Sequence, residues 1–97
     1  MGTMATIEIV TETEGKNQWT YTVCVKDDGE THQFDVTLNW SDYDLWCRGR
    51  VAPECVVKAA FEFLLQQEPV GDIQAKFDCS LIRRYFPQID AELPAMV

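Results

Sequence analysis

Residues 18–40 decide the fold: Gln18-Trp19-Thr20-Tyr21-Thr22-Val23-Cys24-Val25-Lys26-Asp27-Asp28-Gly29-Glu30-Thr31-His32-Gln33-Phe34-Asp35-Val36-Thr37-Leu38-Asn39-Trp40. Trp19, Tyr21, Val23 and Val25 alternate with polar residues, and so do His32, Phe34, Val36, Leu38 and Trp40, the period-two signature of half-buried strands. Between the runs, Asp28-Gly29 supplies the two positive-φ positions of a type I′ hairpin. A two-residue turn there makes paired positions sum to 57, setting Val25 against His32, Val23 against Phe34, Tyr21 against Val36 and Trp19 against Leu38. All then share one face, and a slip of one residue would mix the faces.

Upstream, residues 5–13 read as a further strand carrying Ile7 and Ile9 and turning through Glu14-Gly15-Lys16-Asn17. A three-residue loop would bring both isoleucines onto the apolar face, but Val10 fits that face poorly, which leaves the register open. The opposite face (Glu8, Thr20, Thr22, Cys24, Gln33, Asp35, Thr37, Asn39) is expected to meet solvent. Downstream, Ser41 with Asp44 reads as the start of a short helix that ends at Gly49. Pro53 at a first helical position, followed by Glu54, opens a main helix that runs to about Gln67 before Pro69. Its polar residues Glu54, Lys58, Glu62 and Gln66 form one narrow strip, so the helix must bury more than one stripe. Either the sheet and the last helix both cover it, or part of it meets a partner subunit. Asp78 is expected to cap a helix over residues 79–86, with Leu81, Ile82, Tyr85 and Phe86 inward and Arg83 and Arg84 outward. Residues 88–97 read as an unpatterned tail.

The chain has 97 residues, 46% hydrophobic, with 16 acids against 8 bases and a net charge of −8. That length suits one domain over residues 1–97, burying about 65% of its unfolded surface: a β-meander layer over 5–40, a helical layer over 41–87, and the tail. The charge is lopsided. Residues 1–47 hold nine acids against Lys16 and Lys26, while residues 48–97 hold seven acids and six bases. Such a balance argues against direct binding to nucleic acid or anionic lipid, because phosphate affinity comes from clustered Lys and Arg. No apolar run is long enough to span a membrane and no basic segment precedes an apolar one, so a cytoplasmic location is expected. Met1-Gly2-Thr3 reads as an added leader before Met4, with residues 1–4 disordered, although Gly2 with Thr6 also meets a crude N-myristoylation pattern.

No catalytic residue, metal site or cofactor is expected. Cys24, Cys47, Cys55 and Cys79 lack the spacing of a zinc knuckle, the nearest pair being eight apart. Cys55 lies in the first turn of the main helix, where the dipole lowers a thiol pKa, but inert thiols are the plainer expectation. His32 is the single histidine, and the hairpin register points it away from Cys24, which defeats a dyad. The residues of the kind that anchor interfaces are Trp40, Trp46, Arg48, Arg50, Arg83 and Arg84. They form either a partner-binding surface, or two core tryptophans with arginines paired to the acidic half.

The phrases Ala60-Phe61-Glu62-Phe63-Leu64-Leu65 to Glu68-Pro69 and Phe77-Asp78-Cys79-Ser80-Leu81-Ile82-Arg83-Arg84-Tyr85-Phe86-Pro87 resemble a group of small, uncharacterised bacterial proteins. The resemblance covers about two thirds of the chain and implies a bacterial cytosolic setting, with no catalytic residues to carry over. Together these readings predict an α+β domain: a three-stranded antiparallel β-meander with one face covered by a main α-helix and one or two short helices. The functional expectation is a non-enzymatic interaction or structural module that binds a protein partner, a homodimer being the simplest case. The alternative is an acidic mimic of nucleic acid, which needs its carboxylates in one continuous band.

Overall fold

The hairpin forms in the expected register. In the computed structural model, which describes residues 5–27 and 29–97, strands β2 (Gln18–Asp27) and β3 (Glu30–Asn39) pair antiparallel, with Trp19 opposite Leu38 and Val25 opposite His32. Gly29 takes a φ of 83°, the left-handed conformation its turn position requires. The Asp28 half of the type I′ turn lies outside the described residues, as do the leader and myristoylation readings of residues 1–4.

Strand β1 (Thr6–Gly15) resolves the difficulty posed by Val10. Ile7 pairs with Val25 and Ile9 with Val23, but Thr11 pairs with Thr22 and Gly15 with Gln18, so the register shifts by one residue at Val10. This is a β-bulge. It lets the isoleucines face inward while the loop closes with Lys16 and Asn17 alone, Asn17 supplying a positive φ of 63°. The three-residue loop is therefore corrected to a two-residue turn plus a bulge, and Val10 is left 53% exposed.

The sheet has four strands rather than three, in the order β1-β2-β3-β4. Strand β4 (Lys76–Asp78) runs parallel to β3, pairing Phe77 with Val36, and its flanks add Asp35 N–H to Ala75 O and Cys79 N–H to Thr37 O, both 2.8 Å. Three residues are too few to show a period, and the single inward residue, Phe77, joins the core.

Helix α1 (Trp40–Cys47) starts earlier than Ser41 and Asp44 suggest. Asn39 is the N-cap, its Oδ1 accepting from Asp42 N–H at 2.8 Å, while its Nδ2 donates to Asp42 Oδ2 at 2.9 Å. Asn outcompetes Ser here because its amide both accepts from the helix and donates to the carboxylate. Helix α2 (Pro53–Gln67) keeps its expected bounds and buries Val56, Val57, Ala59, Ala60, Phe61, Phe63 and Leu64. Of the two covers left open for it, the chain itself supplies one: β1, α1 and α4 pack on it. Aromatic contacts run through this layer, with Phe34 against Phe61 at 5.2 Å, Phe61 against Phe77 at 5.8 Å and Phe63 against Phe86 at 6.1 Å between ring centroids.

A 3₁₀ turn (Val70–Asp72) leads into β4, and α3 (Ser80–Tyr85) follows. Asp78 caps α3 by accepting from Ser80 N–H at 2.9 Å. Residues 88–97 are not an unpatterned tail. Helix α4 (Ile89–Met96) buries Ile89 and Leu93, one turn apart, and packs on α1, α2 and α3. Two apolar positions and an internal Pro94 are too little to announce a helix, since proline normally interrupts one. Pro94 is the sixth residue of α4, just past its first turn.

Candidate functional site

Helices α1, α3 and α4 meet at Arg83. Its Nε and Nη2 grip Asp90 at 2.9 and 3.0 Å, and its Nη1 reaches Asp42 Oδ1 at 3.1 Å. Trp46 Nε1 donates to Asp90 Oδ1 at 2.9 Å, and Asn39 holds the second oxygen of Asp42. Asp42 is only 3% exposed. Its burial raises the carboxyl pKa, against the pull of Asn39 and Arg83. Burial also pushes Asp90 upward, but hydrogen bonds from Arg83 and Trp46 with the guanidinium charge hold it below the ordinary carboxylate range. The hydrogen bonds to Asp90, followed by the two negative charges, raise Arg83. A guanidinium bridging two carboxylates is a charge-assisted clamp that ties the three helices together.

This clamp accounts for two of the six interface candidates. Trp46 is buried, so it belongs to the core, and Arg83 is turned inward rather than outward. The rotation of α3 that brings Arg83 in also turns Tyr85 out. With residues about 100° apart around a helix, an inner side formed by the buried Ile82 and the half-buried Arg83 and Phe86 leaves Tyr85 on its flank. Tyr85 is accordingly 66% exposed, not packed inward. Trp40 is half exposed, and Arg48, Arg50 and Arg84 are exposed. Arg48 is the left-handed C-cap of α1 at φ 52°, and Arg50 Nε donates to Cys47 O at 3.2 Å. The structure therefore divides the six between a core clamp and scattered surface positions, and draws no hydrogen bond between any two of them.

A concave feature lies elsewhere, where the end of α2, the 3₁₀ turn and α3 border a groove of about 400 Å³. Leu64, Ile73, Phe77, Ile82, Leu81 and Phe86 provide its apolar lining, and the exposed Tyr85 ring borders it. Its polar lining is Glu68, Asp72 and Gln74. Sequence patterning misses this groove because it depends on the rotation of α3, which contacts distant in sequence, the Asp42–Arg83–Asp90 clamp among them, hold in place. The one available signal is Tyr85 itself, an aromatic beside two arginines.

The remaining polar groups disperse. Because of the bulge, Glu12 pairs with Tyr21 and Glu14 with Trp19 on the helix side of the sheet, while Glu8 and Asp35 pair with Cys24 and Thr22 on the open side. Glu12 accepts a hydrogen bond from the Tyr21 hydroxyl, and burial together with that carboxylate pushes the phenol pKa upward. Among the described residues the open face interleaves Glu8, Asp35 and Asp78 with threonines, Lys26 and Lys76, so no continuous acidic band runs along it. Cys24 lies opposite Gln33 and His32 opposite Val25, on opposite faces. His32 Nε2 lies 3.5 Å from Glu30 Oε2. All four cysteines are free: Cys47 and Cys79 are buried, Cys24 half-buried and Cys55 exposed. Burial raises the Cys79 thiol well above its usual range. Among the described residues no group of three or more His, Cys, Asp or Glu side chains gathers to hold a metal, and no helix is long and apolar enough to cross a membrane. Comparison of the chain with protein-family models, with curated proteins and with solved structures finds no match in any of the three.

Proposed function

We propose that the chain is a non-enzymatic protein-interaction module and that the groove between α2 and α3 is where a segment of its partner docks. The observation that carries this reading is the groove itself, an apolar concavity bordered by a tyrosine two thirds exposed. Tyrosine presents a large amphipathic ring at low entropic cost, which is why it recurs at binding surfaces. The partner is a different protein rather than a second copy. Two chains of net charge −8 repel, and the apolar surface of α2 that argued for a dimer is already covered within the chain. The acidic-mimic reading finds no support in a sheet whose bulge divides its carboxylates between two faces. A bacterial cytosolic setting, implied by the sequence resemblance, belongs to the same proposal.

The test is a random peptide library displayed on phage, selected against the immobilised full chain and against its Tyr85→Ala and Leu81→Gln variants. Both variants are first checked by circular dichroism for native structure. Peptides that enrich on the wild-type chain and lose binding to both variants bear the reading out. Absence of enrichment, or enrichment that both folded variants retain, refutes it.

A further inference from the structure

We infer that the segment docking in the α2–α3 groove is cationic and amphipathic, a helix presenting aliphatic side chains one turn apart with lysine or arginine beside them. The inference rests on the groove being the docking site, as proposed above. Two independent features give the groove one sign of charge. Its ionisable lining consists of Glu68 and Asp72, and no base lines it. Helix α2 also ends there with no basic residue in its last turn, so no side chain of its own offsets the negative end of its dipole. The nearest helix carries Arg83 and the exposed Arg84; Arg83 is held by Asp42 and Asp90, and neither arginine is among the groove's lining residues. A volume of about 400 Å³ is at the lower end of what accommodates a ligand or a few side chains. That is the scale of the anchors one helix face inserts into a partner's groove, spaced at i, i+3, i+4 and i+7. An acidic segment would bring like charges to the rim of the same apolar floor, which opposes binding.

The test titrates the full chain, labelled at Ile and Leu methyl groups, with three synthetic peptides of about 14 residues, long enough to form a helix. All carry leucine at the helical spacing, with lysine, glutamine or glutamate at the remaining positions. The lysine peptide is expected to shift the Ile73, Leu64 and Leu81 methyls and to bind more tightly than the glutamine peptide, with the glutamate peptide weakest. Replacing the rim acids together, Glu68→Gln with Asp72→Asn, should weaken the lysine peptide about five-fold, the scale of two exposed charge contacts. Glu8→Gln with Glu14→Gln removes the same charge from β1, away from the groove, and should weaken it far less. Equal losses in the two double variants would reduce the effect to general attraction toward an acidic chain and overturn the inference. So would a glutamine or glutamate peptide that binds as tightly as the lysine one, while still leaving the groove a docking site. If no peptide of any charge moves the groove methyls, the docking reading itself fails.

Discussion

Replacing Arg83 with Met should destabilise the chain in a manner that depends on pH. The substitution keeps an unbranched side chain but removes the cation that serves two carboxylates. Asp42, 3% exposed, would retain only the Asn39 side chain as a partner, and breaking a buried pair by removing one member costs about 3–5 kcal/mol. Arg83 and Asp90 are each more than a third exposed, so water screens and partly replaces that half of the clamp. A loss of about 2–3 kcal/mol is therefore expected, a large share of the roughly 5–15 kcal/mol that stabilises a domain. Melting should fall by roughly 10–20 °C for a chain of this size. The pH dependence follows from the two shifts. Asp42 is raised in the folded state, so its ionised form opposes folding, and that penalty is relieved as pH falls through its folded range. Without Arg83 the folded pKa rises further, which makes the variant gain more than the wild type on mild acidification. Asp90 is lowered, so its contribution is present above the ordinary carboxylate pKa and is lost as pH falls through its folded value. That loss is larger in the chain that still has Arg83, the variant keeping only the Trp46 hydrogen bond to Asp90. The Asp42 effect narrows the gap between wild type and variant on mild acidification, and the Asp90 effect adds to it only below the ordinary carboxylate pKa. Urea unfolding followed by circular dichroism at about pH 7.5 and about pH 4.5 measures it. A second substitution, Asp42→Asn, should recover part of the stability lost in Arg83→Met. A gap below about 0.5 kcal/mol, or one unchanged across that range, would refute this account of the clamp.

Deleting Val10 should straighten β1 without moving either the isoleucines or the Lys16-Asn17 turn. A stability change within about 1 kcal/mol is expected, with cross-strand NOEs from Ile9 to Val23 and from Glu12 to Tyr21 both kept, whereas deleting Thr22, which pairs with Thr11 on one side and Asp35 on the other, should prevent folding. Asn39→Ala should cost about 1–2 kcal/mol in chemical denaturation, because it removes the α1 cap and a partner of Asp42. Ser41→Ala should cost less than about 0.5 kcal/mol, and the reverse order would restore Ser41 as the cap. Toward a thiol-specific disulfide reagent, Cys55 should react first and Cys24 next, with Cys47 and Cys79 silent until the chain unfolds; early reaction of Cys79 would contradict its burial.

Where structure follows from a repeating local pattern, it was legible. The β2–β3 register needs only alternation and a two-residue turn, and α2 is bracketed by Pro53 and Pro69, so both emerge with their bounds intact. The bulge was legible only as a misfit at Val10, because turn length and facial pattern demanded registers one residue apart. What escaped depends on partners distant in sequence. Strand β4 exists because Phe77 finds Val36, and α4 because Ile89 and Leu93 find the core. The orientation of α3 brings Arg83 to Asp42 forty-one residues upstream and Phe86 to Phe63 on α2. The clamp and the groove inherit that dependence. Trp46 and Arg83 were identifiable as unusual residues, but nothing local told a core network from a binding surface.

The parallel pairing of β4 with β3, and the closure of the core by α4, also govern the order in which the chain can mature during synthesis. Residues 5–39 leave the ribosome first and can zip into the antiparallel meander through contacts between sequence neighbours. Their apolar face (Tyr21, Val23, Phe34, Val36) then waits for α2, and longer for Phe77, Ile89 and Leu93, which complete the same core. At roughly 5–20 residues per second, the interval between Leu38 and Leu93 lasts several seconds. Until α2 emerges the nascent sheet has a sticky side with nothing of its own to lay on it, and until Leu93 emerges that side is only partly covered. The acids concentrated on β1 to β3 and their turns give that half-finished layer a strong negative charge, which keeps neighbouring nascent chains apart until the helices arrive.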